Sequence, residues 1–425
     1  MNLVKTKNPL TWFPTLYFAM GLPLITISKV SSIMFVDLGV EEDMVAKMLS
    51  LVLLPWSFKP FFSVIMELFG TKRKYVVFTE LLSAALFGAI IFAIDLPNFF
   101  RIIIALMAVV AICGSVHDIA GDGIYMEQLN LEDQKRYSGW QGVFYNIPKV
   151  LASGFLVFAV GFLTSKLGFS IMLSWQIIIG IIAFMLFAVG GYHLFIMPKD
   201  KNTDNQIKTT SQEKWGQLKE IFIDFFKKKY IFYYIIFILS YRLLEGLTGN
   251  IVPYLLKRKI SEGGLNMSNE EMGLIIGVFG SIAFMVGSAI VSKYITEKGL
   301  KKTLFGLALA FNIPFVVYWL FAVYQPQNIY LITAGIMFEY FGYGVGFVGL
   351  IVFMMQQVAH GKYQMVHYAF ANSFMNLSVV LAGFASGFLI KTLSYEQFFG
   401  IVMLSAVVPL LITWFVPFTY DDEKE

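Results

Sequence analysis

Twelve apolar runs separated by charged breaks limit the fold of this chain more than any other feature. A helix needs about 20 apolar residues to cross the hydrocarbon core of a bilayer, and each run reaches that length. Only 14% of the residues are charged, whereas a typical soluble domain has about 25%. The sequence therefore predicts an all-α integral membrane protein with twelve transmembrane helices. We expect these spans near residues 12–36, 44–66, 75–94, 99–127, 138–163, 171–197, 230–256, 269–292, 302–324, 329–358, 364–390 and 396–418.

The distribution of basic residues predicts how the spans are oriented. With the amino terminus placed in the cytoplasm, the inner loops and tails hold 21 lysines and arginines and the outer loops hold six. Because basic residues concentrate on the cytoplasmic side of membrane proteins, we expect both termini to be cytoplasmic. The long polar stretch at 198–229 then separates a six-helix half at 1–197 from a second six-helix half at 230–425.

Two further patterns concern this division. Glycine-containing basic loops follow span 2, at 70–74, and span 8, at 299–302, as a duplicated six-helix unit would produce. Such parallel repeats, with a binding site between them, resemble the major facilitator fold. The linker itself has apolar residues at helical spacing among lysines, which indicates a helix lying on the inner leaflet; a loosely ordered basic linker is the alternative. These apolar residues are Trp215, Leu218, Phe222 and Phe225.

Two carboxylates lie inside the fourth apolar run. Asp118 and Asp122 are four residues apart, so they share one face of a helix. A carboxylate in hydrocarbon persists only where it faces a polar cavity, a partner charge or a proton path. Two neighbouring carboxylates can share one proton. Lys59 in span 2 is a candidate cation partner for them, or a substrate contact. The pattern predicts proton coupling or gating by these residues, with a structural carboxylate pair as the alternative.

Other charges lie deeper in the spans. Arg242 and Glu245 are three apart near the middle of span 7, where they bind substrate or pair with each other. Glu339 in span 10 has no local partner, so we expect a role in proton coupling. Lys149 in span 5 and Lys29 in the outer part of span 1 are candidate substrate ligands.

Span 5 presents a polar face. Gln141, Tyr145 and Lys149 follow one another at intervals of four, and Asn146 lies beside them. One helix face thus carries an amide, a phenol and an ammonium, a combination that suits a sugar; an interfacial aromatic belt is the alternative and fits Trp140 better. The predicted substrate-binding set is Lys29, Gln141, Tyr145, Asn146, Lys149, Arg242 and Glu245.

Several functions have little support. The single cysteine, Cys113, excludes an internal disulfide and a cysteine-based zinc site. The four histidines form no pair at metal-binding spacing, so we expect no metal and no other cofactor. The net charge of +4 comes from loop residues beside the spans, and we expect no nucleic-acid partner. Glu80 and His193, near the ends of their spans, are expected to be structural.

The glycines and prolines inside the spans indicate how the helices pack and where they bend. The glycines predict close helix packing, with a flexible gating segment in span 10 as the alternative. Pro23 and Pro253 are expected to bend spans 1 and 7 and so to suit cavity-lining helices. The packing glycines are Gly342, Gly344, Gly346 and Gly349 in span 10, and Gly383 and Gly387 in span 11.

Three segments, all before about Leu163, resemble the AmpG-type muropeptide permeases, a branch of the major facilitator superfamily related to acetyl-CoA transporters. The chain departs from that pattern in four places: Glu67 stands where aspartate is usual, Val64 and Leu68 replace a proline and an arginine, and His117 replaces a frequent glutamine. The similar segments are Gly21-Leu22-Pro23-Leu24, Phe58-Lys59 with Ser63 and Met66-Glu67, and Asp118-Ile119 with Asp122.

This resemblance implies a proton-coupled secondary transporter in the bacterial inner membrane. Its cargo would be a peptidoglycan-derived amino sugar, GlcNAc–anhydroMurNAc with or without peptide, and its partners would be that small molecule, protons and membrane lipid. By the same resemblance, Asp118 and Asp122 would carry the functional role of the family's fourth-span acids.

Two alternatives remain open at the level of the sequence. The first is another cargo, such as an oligosaccharide, a siderophore or an acyl-CoA-like nucleotide, although a phosphate-rich cargo would call for more arginine than Arg242. The second is a membrane enzyme, because Asp118-x-x-x-Asp122 resembles the metal-binding end of CDP-alcohol phosphotransferases. The upstream Asp-Gly-x-x-Ala-Arg portion of that motif is missing, so the sequence favours a transporter and not an enzyme.

Overall fold

The computed structural model describes residues 8–68, 71–129, 131–199, 211–361 and 363–420. This part of the chain is all-helical and contains twelve helices long and apolar enough to cross a membrane, which confirms the predicted fold class. We number them spans 1 to 12. They are Pro9–Asp37, Glu42–Ser63, Lys72–Ala93, Phe99–Gln128, Trp140–Ser165, Ile171–Ile196, Ile231–Lys257, Asn269–Lys298, Leu300–Tyr324, Ile329–Val358, Val366–Ile390 and Tyr395–Trp414.

The span boundaries lie close to the predicted ones, with span 8 as the main difference. Its helix continues to Lys298, beyond the expected end near residue 292. Polar and charged residues occupy its last turns, so hydropathy alone places the end too early. The helix stops where Gly299 adopts φ 79°, a left-handed conformation that glycine tolerates because it lacks a Cβ atom.

Several spans are not continuous α-helices. Proline removes a backbone donor and crowds the preceding turn, and bilayer helices accommodate this with local 3₁₀ or π geometry. Pro23 lies inside the helix Phe13–Ile25, which a π-helical turn at Thr26–Val30 follows. Other interruptions occur at Leu54–Phe58, Leu151–Leu156, Arg242, Gly273–Gly280, Ile313–Phe315 and Met354–Val358.

Some of these interruptions carry polar side chains of the central cavity. Lys29 lies on the π-helical turn of span 1, Trp56 lies on the 3₁₀ segment of span 2, and Arg242 lies at the break in span 7. Departures from α geometry in a helix frequently occur at functional sites. Here they coincide with three of the side chains that line the cavity.

Glycine lets the first six spans contact the last six at backbone distance. A Cβ atom added to Gly277 of span 8 would lie 2.1 Å from the Cα atom of Gly154 in span 5. A Cβ atom added to Gly383 of span 11 would lie 2.3 Å from the Oγ atom of Ser50 in span 2. Both distances are far below a normal contact, so only glycine permits this packing.

The glycines of span 10 serve the same purpose, as the packing interpretation predicts. A Cβ atom added to Gly342 would lie 2.2 Å from the carbonyl oxygen of Ala310 in span 9. One added to Gly344 would lie 2.2 Å from the carbonyl oxygen of Phe284 in span 8. These glycines therefore hold span 10 between two neighbouring helices.

The linker contains the predicted helix, which runs from Ser211 to Lys227. Phe225 is buried, with its ring centroid 5.1 Å from that of Phe370 and 5.5 Å from that of His367. Lys228 donates to the backbone carbonyls of Val358 and His360. This end of the helix packs on spans 10 and 11, whereas the side chains of Trp215 and Leu218 lie outside the described residues. Its position on a membrane surface stays a prediction.

Candidate functional site

A cavity of about 650 Å³ lies between the first six spans and the last six. Of the eleven side chains proposed from the sequence, all but Asp122 and Gln141 line it. Candidates from six different spans thus converge on one space, although the sequence placed them only by depth within separate spans. The lining candidates are Lys29, Lys59, Asp118, Tyr145, Asn146, Lys149, Arg242, Glu245 and Glu339.

Asp118 has two hydrogen-bond partners, both from span 2. Its Oδ2 atom accepts from the Lys59 ammonium at 2.7 Å and from the Trp56 indole nitrogen at 3.0 Å. Gly114 makes room for this arrangement, because a Cβ atom there would lie 2.6 Å from the Trp56 ring. The Oδ1 atom is buried and has no hydrogen-bond partner among the described residues. Lys59 is therefore the cation that neutralises Asp118.

Asp122 lies behind the cavity and has its own partners. It accepts a hydrogen bond from the Tyr17 hydroxyl at 2.8 Å, and Tyr17 accepts one from the Gln141 amide at 2.6 Å. The two acids of span 4 thus contact different groups, and within the described residues no hydrogen bond joins them. Gln141 donates to Tyr17 and does not line the cavity. Its predicted contact with substrate would therefore need a rearrangement of these side chains.

Arg242 and Glu245 of span 7 pair with each other. The guanidinium donates from Nε at 2.6 Å and from Nη2 at 2.5 Å to the two carboxylate oxygens. The Tyr343 hydroxyl donates to the same carboxylate at 3.0 Å. A two-pronged pair of this kind is among the strongest side-chain contacts, because both hydrogen bonds are charge-assisted. The pairing alternative raised by the sequence is therefore the observed one.

The remaining cavity charges are Lys29, Lys149 and Glu339. Neither ammonium has an ion pair or a hydrogen bond within the part of the chain that the structure describes. The Lys149 ammonium lies 4.5 Å from the centroid of the Phe284 ring, a cation–π contact. Glu339 is buried and accepts a hydrogen bond from the Tyr318 hydroxyl at 3.0 Å.

The charges that line the cavity do not balance. Lys59 pairs with Asp118, and Arg242 pairs with Glu245. Two ammoniums then face one carboxylate, so the lining has a surplus of positive charge, and that surplus grows when Glu339 is protonated. Because the dielectric constant of such a space is low, the electric field of the surplus charge strongly attracts groups of the opposite charge. The cavity is therefore suited to a molecule that carries a negative group.

Aromatic rings and amides complete the lining. The rings of Phe284 and Tyr343 lie 5.1 Å apart, and those of Tyr343 and Phe347 lie 5.7 Å apart. Asn250, Asn372 and Asn376 also reach the cavity. The sequence reasoning missed these residues and also missed Trp56. Trp56 could have been found, because it precedes Lys59 by three residues and so shares its helix face.

The cavity lining on spans 1 and 7 reaches Ile33 and Pro253, and about one turn further on a network centred on Asp37 joins the two halves. Its carboxylate accepts from Lys257, from the Asn269 amide at 2.7 Å and from the Trp175 indole at 2.9 Å. Nearby, the Tyr254 hydroxyl donates to the Val40 carbonyl at 2.7 Å. These bonds join spans 1 and 6 to spans 7 and 8. Charged residues at span ends are common, so nothing in the sequence singled out this set.

The described residues contain no group of three or more His, Cys, Asp or Glu side chains that could hold a metal ion. Asp118 and Asp122 in particular are engaged by Lys59, Trp56 and Tyr17. The two acids that suggested a membrane enzyme thus accept hydrogen bonds from protein side chains in this structure.

Twelve spans around a central polar cavity define a multi-pass membrane transporter. The sequence model of the Major Facilitator Superfamily matches residues 12–360, and the chain belongs to that superfamily. Because that family transports solutes, the chain is a transporter and not an enzyme, as the sequence predicted. The chain has no match in sequence among curated proteins.

Solved structures of other transporters share this fold. The crystal structure of the nucleoside transporter NupG is similar over 97% of this chain and 100% of that chain, with 13% identity and a TM-score of 0.70. The structure of a D-xylose–proton symporter is similar over 96% of this chain and 98% of that chain, with 12% identity and a TM-score of 0.70. The structure of the xylose transporter XylE from E. coli, in a partially occluded inward open conformation, is similar over 96% of this chain and 97% of that chain. The identity is 11% and the TM-score is 0.65. At such low identity the similarity concerns the fold alone.

Proposed function

We propose that this transporter imports a peptidoglycan-derived amino sugar, GlcNAc–anhydroMurNAc with or without peptide, together with protons. One observation carries the proposal: Lys29 and Lys149 face an aromatic cavity, and within the described residues no carboxylate pairs with them. The lactyl carboxylate of such a sugar, or a peptide carboxylate, supplies the missing negative group. The resemblance of the first-half motifs to muropeptide permeases supports the same cargo class.

The rest of the lining suits the sugar rings. Aromatic faces such as those of Phe284 and Tyr343 pack against the apolar faces of pyranose rings, while Asn146 and Asn372 offer amides to hydroxyl and acetamido groups. A cavity of about 650 Å³ is within the usual range for small-molecule sites, ~300–1,000 Å³. We therefore expect the disaccharide to fit more readily than a form with a long peptide.

Proton coupling is assigned to the carboxylates of the same cavity. Protonation of Asp118 would release the Lys59 ammonium, and protonation of Glu339 would increase the positive surplus that attracts the cargo. Each event changes the charge that faces the substrate, as coupling between proton and cargo requires. The fold that this chain shares with a D-xylose–proton symporter is compatible with this assignment.

The proposal includes an orientation. We assign residues 1–197 and 230–425 as the two halves that rock against each other, 198–229 as the cytoplasmic linker, and both termini to the cytoplasm of a bacterial inner membrane. The end of the cavity beside the Asp37 network then faces outward, and we infer that the bonds of this network close it to the outside.

Uptake into inverted or right-side-out vesicles tests the cargo and the coupling together. We expect labelled anhydro-disaccharide to accumulate faster with an inward proton gradient than without one. Lys149→Gln should raise KM by about tenfold, equivalent to about 1.4 kcal/mol, because one charge contact is lost. The matched control is Lys166→Gln, an exposed lysine at the end of span 5. Equal KM values for the two variants, or no uptake of the sugar, would reject the proposal.

A nucleoside is the second candidate cargo. The aromatic lining offers faces for base stacking, and the fold resembles that of the nucleoside transporter NupG. An uncharged nucleoside leaves Lys29 and Lys149 without a negative partner, so we rank it second. Competition separates the two: unlabelled nucleoside should leave sugar uptake unchanged, and an amide analogue of the lactyl group should compete about tenfold less well than the acid.

A further inference from the structure

A buried polar cluster lies in the core of the first six spans, outside the cavity. Glu80 of span 3 contacts two histidines through the same carboxylate: His117 Nε2 of span 4 at 2.9 Å and His193 Nδ1 of span 6 at 2.8 Å. The second nitrogen of His193, Nε2, lies 2.8 Å from the Thr15 hydroxyl of span 1. The exposed fractions of Glu80, His117 and His193 are 2%, 3% and 0%.

The hydrogen atoms of this cluster can be counted from its geometry. An ionised carboxylate only accepts hydrogen bonds, so the His117 and His193 nitrogens that face Glu80 both carry a hydrogen. The hydroxyl of Thr15 has one hydrogen and two neighbouring acceptors, the Trp12 carbonyl at 3.1 Å and His193 Nε2 at 2.8 Å. Where that one hydrogen points therefore decides whether His193 Nε2 accepts or donates.

Two protonation states fit this geometry, and they differ in the hydrogen bond from Thr15 to the Trp12 carbonyl, which only the second state makes. In the first, Thr15 donates to His193 Nε2, both imidazoles are neutral, and the cluster carries the charge of Glu80. In the second, a proton occupies His193 Nε2, which donates to Thr15, and the hydroxyl hydrogen turns to the Trp12 carbonyl. The change requires only a hydroxyl rotation, and the second state neutralises a charge buried among apolar helices. Burial of an uncompensated charge is costly, so the bound proton is stabilised.

We propose that Glu80, His117, His193 and Thr15 form a proton-binding centre distinct from the substrate cavity. None of the four lines that cavity. Among the described residues, the other titratable or charged groups around it include Cys113, Asp118 and Asp122 on span 4, Tyr192 on span 6, Arg73 on span 3, whose guanidinium donates to the Leu194 carbonyl, and Lys59, which pairs with Asp118 from span 2. Asp118 follows His117 directly in the chain, so occupancy of the centre alters the charge next to a cavity acid.

This centre also connects cavity-lining and peripheral helices. Spans 1 and 4 contribute Gly21 and Asp118 to the cavity wall, whereas spans 3 and 6 contribute no lining residue among those described. Proton binding at Glu80 and His193 therefore strengthens the attachment of the lining helices to the outer ones. The inference concerns this half alone and does not depend on the identity of the cargo.

Nitrogen-15 NMR of histidine-labelled protein in lipid nanodiscs tests the proposal directly. The chain has four histidines, and His117→Asn and His193→Gln assign the two buried signals. Between about pH 4 and about pH 9 we expect the His193 signal to change from charged to neutral imidazole. Glu80→Gln should abolish the charged form, while the signals of His360 and His367 stay unchanged.

A conservative pair of variants guards against loss of folding. Thr15→Val removes the hydroxyl that accepts from His193 Nε2 and should eliminate the charged state, whereas Thr15→Ser should retain it. Thermal unfolding of each variant establishes that the fold is intact. A His193 signal that keeps one state over the whole pH range, or that responds equally to the valine and serine variants, would overturn the proposal.

Discussion

Two networks, one in the cavity lining and one outside it, use the same chemistry for different purposes. Asp118 accepts hydrogen bonds from a tryptophan indole and a lysine ammonium, and Asp37 does the same. We call them the Asp118 network (Trp56, Lys59, Asp118) and the Asp37 network (Asp37, Trp175, Lys257, Asn269). All residues of the first come from the first six spans. The second joins those spans to the last six.

The difference in connection gives the two networks different energetic roles. Their ion pairs are similarly buried: the side chains of Asp118 and Lys59 are 5% and 19% exposed, and those of Asp37 and Lys257 are 7% and 13% exposed. While Asp118 is ionised, the Asp118 network can persist in any conformation that leaves the first six spans intact. The Asp37 network must break when the halves separate at its end. One therefore stabilises the fold, and the other favours one conformation over another.

The largest effect is expected from Asp118→Ala. This variant leaves the Lys59 ammonium and the Trp56 indole without their acceptor, and loss of one partner of a buried pair costs about 3–5 kcal/mol of the free energy of unfolding. A lower midpoint of thermal unfolding in detergent would show it. The double variant Asp118→Ala with Lys59→Met should recover part of the loss, because no lone charge remains. A double variant no more stable than the single one would contradict this account.

A smaller effect, on conformation and not on folding, is expected from Asp37→Asn. The amide keeps the shape but loses the charge that holds Lys257, so the closed end should open more often, by about tenfold or about 1.4 kcal/mol. Labelling of Ser153→Cys in the cavity by an impermeant thiol reagent, in a Cys113→Ser background, measures this. Glu127→Gln serves as the control and should leave the labelling rate unchanged, because Glu127 pairs with Lys72 inside the first six spans and does not line the cavity. If both variants raised labelling alike, the effect of Asp37→Asn would not depend on the connection between the halves.

The two networks also differ in how far the sequence could predict them. Asp118 and Lys59 stand inside apolar runs, where charges are rare, so hydropathy alone drew attention to them. Asp37 and Lys257 lie at span ends, where charges are common and carry little information. Their pairing joins residues 220 positions apart, and its register depends on how the two halves pack.

The same reasoning applies to the fold and the site as a whole. The twelve spans were predictable because each must bury an apolar run of fixed minimum length. The charges of the cavity were predictable one by one, since each lies within an apolar span. Their pairing was not, because it depends on helix rotation and on breaks such as the π-helical turn that carries Lys29.

The smallest effect is expected from Arg258→Ala. This variant tests whether the loss of any ion pair between the halves opens the closed end, or only the loss of a buried one. Arg258 also joins the halves, with its guanidinium 3.6 Å from the Glu42 carboxylate, but its side chain is 39% exposed. Exposed ion pairs contribute only about 0–1 kcal/mol and are screened by salt. We therefore expect the labelling rate at Ser153→Cys to change by less than about threefold at low salt and not at all at about 1 M salt.

The dependence on salt distinguishes the two ion pairs between the halves, Asp37–Lys257 and Arg258–Glu42. The effect of Asp37→Asn should persist at high ionic strength, because solvent ions do not reach a pair that is about nine-tenths buried. If Arg258→Ala opened the closed end as much as Asp37→Asn, or if salt removed both effects, the number of bonds between the halves would control access. If only the buried bridge matters, closure at this end depends on excluding water from Asp37, and the exposed pair of Arg258 with Glu42 contributes little.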